Sequence, residues 1–433
     1  MQLLPNILFA IALILGIGYF TKNVKKLIRN IKIGQPLDVS DNKSQRWKNM
    51  ALIALGQSKM IRRPVAGILH VIVYLGFIII NIEVLEIIID GLLGTHRIFS
   101  FMGSFYGFLI GSFEVLAVLV FIAVILFWIR RNIIKLQRFW KAEMTSWPKN
   151  DANYILYFEM VLMSLFLIMN ATDVHFQEMG SGNLISQFIT PLFDDLSVSI
   201  LNVIERTAWW LHILGILVFL NYLYFSKHLH ILLAFPNTYY GKLTPKGQIN
   251  NLESVTKEVK MMMDPNIDPF AAPSGDAQVP AKFGASDVLD LSWLSLMNAY
   301  TCTECGRCTS ECPANQTGKK LSPRKIMMDT RDRLEEVGKN LDANKGELKE
   351  DGKQLLDDYI TREELWACTS CNACVEACPV SIDPLSIIIE MRRYLVMEQS
   401  AAPTELNVMM TNIENNGAPW PYNQMDRLNW KNE

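Results

Sequence analysis

Cys302-Thr-Glu-Cys305-Gly-Arg-Cys308-Thr-Ser-Glu-Cys312-Pro313 and Cys368-Thr-Ser-Cys371-Asn-Ala-Cys374-Val-Glu-Ala-Cys378-Pro379 decide how the chain is read. Each is C-x2-C-x2-C-x3-C-P, a spacing that binds [4Fe–4S] clusters. Together the two strings use all eight cysteines of the 433 residues. Disulfide scaffolds are small and secreted, with dispersed cysteines, so two tight groups argue against one. Zinc is the nearer rival, because C-x2-C pairs also bind it. Four cysteines crowded together and followed by proline are an unusual way to hold a single zinc, so iron–sulfur is the reading taken. Such clusters place this part of the chain in a reducing compartment.

Outward from the cysteines, composition divides the chain. Apolar residues concentrate before about residue 235, and charges, Gly and Pro dominate afterwards. Residues 3–20 are an uncharged run just long enough to span a bilayer. The basic residues follow it (Lys22, Lys25, Lys26, Arg29, Lys32) instead of preceding it, which argues for an uncleaved helix and against a signal peptide. Further spans are expected from Val65 through the eighties, then over 108–129, 152–171 and 207–226. The connections after the first and third spans are basic, the latter through Arg130, Arg131, Lys135, Arg138, Lys141 and Lys149. Residues 173–205 carry Asp173, Glu178, Asp194, Asp195 and Glu205 with no basic residue. The positive-inside rule then puts the amino terminus outside and the cysteine strings in the cytoplasm. Residues 184–204 are fairly apolar, but Asp194 and Asp195 near their middle would each cost about 3 kcal/mol to insert. That segment is read as external and amphipathic.

The expected fold is all-α: a five-helix membrane bundle (1–240), a linker (241–285), a two-cluster helical domain (286–400) and a tail that binds a partner (401–433). Residues 227–240 read as interfacial. Pro265, Pro269, Pro273 and Pro280 make 261–284 irregular. Helices are expected from Pro323 to Arg333 and over 353–366.

All six histidines lie in the membrane half. Coordinating side chains within membrane helices are functional candidates, and two imidazoles on facing helices can clamp a haem iron. His212 and His230 would share a face if their helix runs on for the five turns between them, whereas His228 would turn roughly opposite. His70, about two turns into the second span, lies at a level that His230 can reach. His70 and His230 are therefore the expected ligands of one haem b; the bland alternative is two histidines capping helix ends or meeting lipid headgroups. A second haem is left open. His212 is near the external face, Ile80 and Asn81 occupy its level in the second span, and His175 and His96 are the external alternatives. Glu83, Glu86, Glu114 and Glu159 lie within spans or at their ends. Glu83 and Glu86 are candidates for proton exchange at a quinone, against a role in helix–helix hydrogen bonding.

Residues 1–240 resemble the cytochrome b subunit of respiratory nitrate reductase. His70, His212 and Phe225-Ser-Lys-His-Leu-His230-Ile carry the likeness, while Ile80 stands where that family has another histidine. The soluble half resembles heterodisulfide-reductase-like iron–sulfur proteins through Cys302-Thr-Glu-Cys-Gly-Arg-Cys308, Lys320-Leu-Ser-Pro-Arg324 and Trp366-Ala-Cys-Thr-Ser-Cys371. The whole order resembles electron-transfer-flavoprotein:menaquinone oxidoreductases, which continue into CCG domains. These residues close at Pro419-Trp420 and Arg427-Leu-Asn-Trp430 with no CCG motif, so the resemblance implies a separate CCG-domain subunit. In such modules the fourth cysteine crosses over. Cys302, Cys305, Cys308 and Cys378 are then one ligand set, and Cys368, Cys371, Cys374 and Cys312 the other. Arg307 and Arg324 either raise a cluster's potential or merely solvate the surface.

The resemblance implies a bacterial inner-membrane relay. It would connect a soluble donor (electron transfer flavoprotein through the CCG-domain subunit) to menaquinone by way of two [4Fe–4S] clusters and haem b. A quinol-oxidising subunit feeding a heterodisulfide or sulfur-compound reductase would need the same wire. A membrane redox sensor is the reading from a different class. No feature points to nucleic acid.

Overall fold

The computed structural model describes residues 3–245, 247–265 and 282–432. Most of the proline-rich stretch 261–284 therefore lies outside the described residues. Helix makes up 71% of the structure, and among the described residues the only β pairing is two isolated bridges, so the fold is all-α.

Among the described residues, five helices are long and apolar enough to cross a membrane: α1 (Leu3–Lys32), α2 (Pro64–Leu93), α3 (Ser104–Asn132), α4 (Trp147–Thr172) and α5 (Val198–Tyr222). Proline at the start of α2 and near that of α4 fits the first helical turn, where its missing N–H costs nothing. The helices form a closed ring in which α1 packs on α2 and α5, α2 on α3, α3 on α4, and α4 on α5. The ring buries Phe9, Ile80, Phe113, Val120, Phe166, Trp209 and Ile213. Its outer surface keeps large apolar side chains such as Ile14, Ile78, Phe108 and Val218 exposed, which suits a lipid surround.

Helix α5 begins nine residues before the expected start at 207. Residues 184–204 are thus no single external segment. Ser186–Ile189 and Thr190–Phe193 are short turns of helix, and residues from Val198 onward belong to α5. Glu205 is tolerated inside it because Arg206 donates to both carboxylate oxygens. The end of the ring near Asp173 is closed by a buried polar network. Arg97 donates to Asp173 (2.7 Å) and Asn170 (2.8 Å), and Asn170 donates to Glu114 (3.0 Å). Glu114 also accepts from the Ile185 and Ser186 amides.

After α5, α6 (His230–Tyr239) leads toward the cysteine domain. That domain contains α7 (Trp293–Thr301), α8 (Pro323–Ala343) and α9 (Pro384–Met397), followed by α10 (Thr404–Asn416) in the tail. Helix α8 runs ten residues beyond Arg333. Residues 353–366 do not form one helix: Leu355–Asp358 and Arg362–Trp366 are separate turns, the first with Asp357 at φ 71°. The domain is seated directly on the bundle. Leu27 and Ile31 of α1 enter the same core as Leu296, Val337 and Leu341, and the chain after α1 bridges Gln35 to Ser292.

Candidate functional site

The two cysteine strings fold alike. Helix α7 delivers Cys302 at its C-terminal end. The chain then takes left-handed backbone at Glu304 (φ 53°) and Gly306 (φ 70°). The second string does so at the same offsets, Ser370 (φ 56°) and Asn372 (φ 59°). Such turns wrap backbone around a compact object, and glycine adopts them at least cost. At Gly306 there is a second constraint, because a Cβ would lie 2.6 Å from Arg324 Nη1. Short helices Arg307–Ser310 and Ala373–Ala377 carry Cys308 and Cys374 and pack on each other.

This packing brings the fourth cysteine of each string to the other string. Cys378 lines one cleft with Cys302, Cys305 and Cys308, and Cys374 of the second string lines it too. Cys312 is near enough to Cys368 and Cys374 to disfavour their thiolates. No cysteine is in a disulfide. Burial pushes the Cys302 and Cys374 thiols up to about 12 and Cys378 to about 11. Thiolate ligands at these positions need the positive charge of bound iron, so the donor set suits a metal cluster and not a reactive thiol. Cys371 alone is exposed.

The first cleft wears a basic collar. Arg307 donates to the carbonyls of Lys59 (3.1 Å) and Met60 (3.2 Å). Arg324 is fully buried and donates to the Arg138 carbonyl and the Glu143 carboxylate, both at 2.6 Å. Both guanidiniums are therefore interior, and surface solvation is excluded as their role. Burial would raise Glu143, but Arg324 outweighs it and holds this carboxyl below its usual value. Arg138, read in the sequence only as a topology charge, approaches Cys305; burial lowers it to about 10.

The ring centroids of His70 and His230 lie 6.4 Å apart. Two imidazoles ligating one iron would stand roughly 6 Å apart, two metal–nitrogen bonds of about 2 Å plus the ring radii. His230 Nδ1 is engaged by the Lys227 carbonyl at 3.1 Å, which leaves Nε2 for a metal. Buried His70 Nδ1 has no protein partner. These residues fit a bis-histidine haem. The reason for preferring His230 over His228, a helix running on from His212, does not hold. Helix α5 stops at Tyr222, Ser226 is extended (φ −111°, ψ 151°), and His230 starts a new helix. The same break corrects His228, expected to face away: its ring lies 5.2 Å from that of His230 and 5.8 Å from Phe219. Burial lowers His228 and His230, favouring neutral imidazoles.

The structure does not pair His212 with His175. His212 Nδ1 meets the Leu162 carbonyl at 3.1 Å and its ring meets Phe166. The His175 ring lies on His96. Near His212 the helices close up, since a Cβ on Gly215 would be 2.9 Å from Leu162. Among the described residues no other histidine ring is stacked against His212.

Glu83 and Glu86 line a cavity of about 490 Å³ with His96, Arg97, Trp209 and Trp210, at the end of the bundle away from the cysteines. Glu86 accepts from the Phe99 amide (2.8 Å) and Tyr106 hydroxyl (3.0 Å). Buried Glu83 Oε2 has no protein partner. His96, Asp173 and Glu205 group within 4.8 Å there, but Arg97 and Arg206 already neutralise the two carboxylates.

Residues 301–382 match the 4Fe-4S dicluster domain family. The chain is 29% identical over 457 aligned residues to the probable iron-sulfur-binding oxidoreductase FadF of Bacillus subtilis, covering 99% of this chain and 61% of that protein. It is 26% identical to the EtfAB:quinone oxidoreductase of Syntrophomonas wolfei, covering 91% of this chain and 55% of that one. The chain is a homologue of these iron–sulfur oxidoreductases. A shorter match, 32% identical over 28% of this chain and 60% of the relative, is to one of the subunits of the ferredoxin/F420H2-dependent CoB-CoM heterodisulfide reductase of Methanosarcina acetivorans. The chain thus spans between half and two thirds of the length of the first two relatives. No solved structure matches it. It joins five helices long and apolar enough to cross a membrane, counted among the described residues, to a domain of the 4Fe-4S kind.

Proposed function

We propose that the chain is the membrane-bound electron-transfer subunit of a quinone oxidoreductase, relaying electrons between a soluble donor and menaquinone. The donor side is an electron transfer flavoprotein acting through a CCG-domain iron–sulfur partner. The carriers are two [4Fe–4S] clusters, on Cys302, Cys305, Cys308 and Cys378 and on Cys368, Cys371, Cys374 and Cys312, and one haem b. When bound, these groups supply one-electron carriers of different potentials.

The observation that carries this reading is the His70–His230 pair at 6.4 Å beside the first cysteine cleft. Arg307 links the two sites. It starts in the cluster loop and bonds the Met60 carbonyl, and Met60 and Ile61 lie against Gly67 in the first turn of α2, which carries His70. His70 and His230 would hold haem b, and Arg307 and Arg324 would add positive charge beside the first cluster. Menaquinone takes up two protons with two electrons. Glu83, which lines the far cavity and has one oxygen without a protein partner, is suited to exchange them, with Glu86 beside it.

Entry of electrons is supported at the second cluster by the exposed Cys371. In the tail, the Thr404–Asn416 and Gln424–Lys431 helices bury no residue and expose Val408, Met425 and Trp430, a surface suited to the partner. Basic connections at the cysteine end support a cytoplasmic cluster domain in a bacterial inner membrane, with the amino terminus outside. Likeness to a heterodisulfide reductase subunit favours a second reading with the flow reversed, from quinol to a heterodisulfide or sulfur-compound reductase.

The purified protein should show about eight cluster irons per chain and the absorption bands of a reduced b-type haem. His70→Ala should abolish the haem bands while the iron–sulfur content stays. Iron-loaded wild-type protein without haem would refute the quinone wire.

A further inference from the structure

Between the first cluster loop and the haem-ligand turn lies a run of buried charge. Glu304 sits between Cys302 and Cys305, 3% exposed. One carboxylate oxygen accepts from Arg331 of α8 at 2.8 Å, and the other accepts from Lys227 Nζ. Lys227 belongs to the short turn Lys227–Leu229 that joins α5 to α6. Its ammonium also donates to the Pro148 carbonyl (2.6 Å), and its amide donates to Asp151 (3.1 Å), which accepts from the Tyr222 hydroxyl (2.6 Å). Its carbonyl is the group bonded to His230 Nδ1. One residue therefore grips the cluster loop with its side chain and orients a haem-ligand imidazole with its backbone.

We propose that Glu304 and Lys227 are positioning residues, a clamp that fixes the first cluster loop and His230 to each other and couples the two sites electrostatically. The inference rests on the haem reading above for its second half only. Burying two carboxylates, Glu304 and Asp151, with two cations is costly unless all are paired, and here every charge is. The arrangement also has two chemical consequences. A carbonyl on Nδ1 selects the tautomer that leaves Nε2 for iron and sets the ring's rotation. A carboxylate flanked by two ligand cysteines adds negative charge beside that cluster, so removing it should make the cluster easier to reduce.

The test uses the full-length protein in detergent, with redox titration followed by EPR and optical spectra. Glu304→Gln keeps the shape and removes the charge. Lys227→Met removes the ammonium and keeps the carbonyl. With iron and haem retained, E304Q should raise the potential of one of the two clusters and shift the low-spin haem g-values. K227M should shift the haem signal alike, and the double variant should add nothing further, as expected of residues acting through one contact. Removing the exposed pair Lys320–Glu363 by K320M should move neither signal. Wild-type cluster and haem signals in E304Q, or additive haem shifts in the double variant, would overturn the clamp. If E304Q loses iron, K227M decides alone: an unshifted haem signal refutes the coupling. Wild-type protein lacking haem would instead sink the quinone wire, and the cluster potential in E304Q would still test the electrostatic half.

Discussion

Arg324 shows what a single residue contributes at the junction of the two halves. Its guanidinium is completely buried and forks between a carbonyl and a carboxylate from the connection after α3. Removing one partner of a buried pair leaves the other uncompensated, at about 3–5 kcal/mol. Arg324→Met should therefore lower stability by about 3 kcal/mol, toward the low end because Ser322 still donates to Glu143 at 2.8 Å. Arg324→Lys should recover little, since a point charge cannot replace the fork. Thermal unfolding of the two variants in detergent measures both effects, and full recovery by lysine would remove the fork from the account. At this scale the sequence speaks unevenly. The cysteines announce themselves by spacing. Arg324 was legible as a nearby cation but not as a buried one. The buried roles of Glu304, Lys227 and Arg138 were not legible, because their burial depends on two distant segments docking and no local pattern records that.

Among elements, the long apolar runs were readable because a span must satisfy its backbone internally and present apolar side chains to lipid. Ends were harder. The acidic stretch before 207 hid the start of α5, where a neighbouring arginine neutralises Glu205 within the helix. The continuous helix assumed between His212 and His230 breaks at Ser226, whose side chain accepts from the His228 amide. What holds the spans together was also invisible, because it lies in side-chain volumes at particular crossings. Gly76 of α2 is such a crossing: a Cβ there would fall 2.4 Å from Val120 Cγ2 of α3. Gly76→Val overpacks that contact and should cost about 1–3 kcal/mol. Adding Val120→Ala, which removes the clashing methyl, should restore part of the loss. The expected record is a lowered melting temperature in G76V and a higher one in the double variant. Equal melting temperatures in the two would place the strain elsewhere.

For the molecule as a whole, the question is what keeps the cluster domain on the bundle, since the proposed relay requires the two to stay docked. The basic end of α1 was read as a topology signal, and part of it serves docking instead. Lys26 and Arg29 both pair with Asp342 of α8, at 2.6 Å and 2.5 Å, with side chains about one third exposed. Pairs so accessible to water contribute about 0–1 kcal/mol each. Beside them Leu27 is 2% exposed within the shared core, and truncating a buried leucine costs about 2–5 kcal/mol. Apolar packing should therefore outweigh the ion pairs. Asp342→Asn, which disarms both pairs at once, should change tryptic release of the cluster domain only slightly and mainly at low salt. Leu27→Ala should speed release severalfold at any ionic strength and, in the proposed relay, slow electron transfer from the cluster domain to the bundle by the same loosening. The opposite ranking would mean that charge, not packing, seats the relay on the membrane.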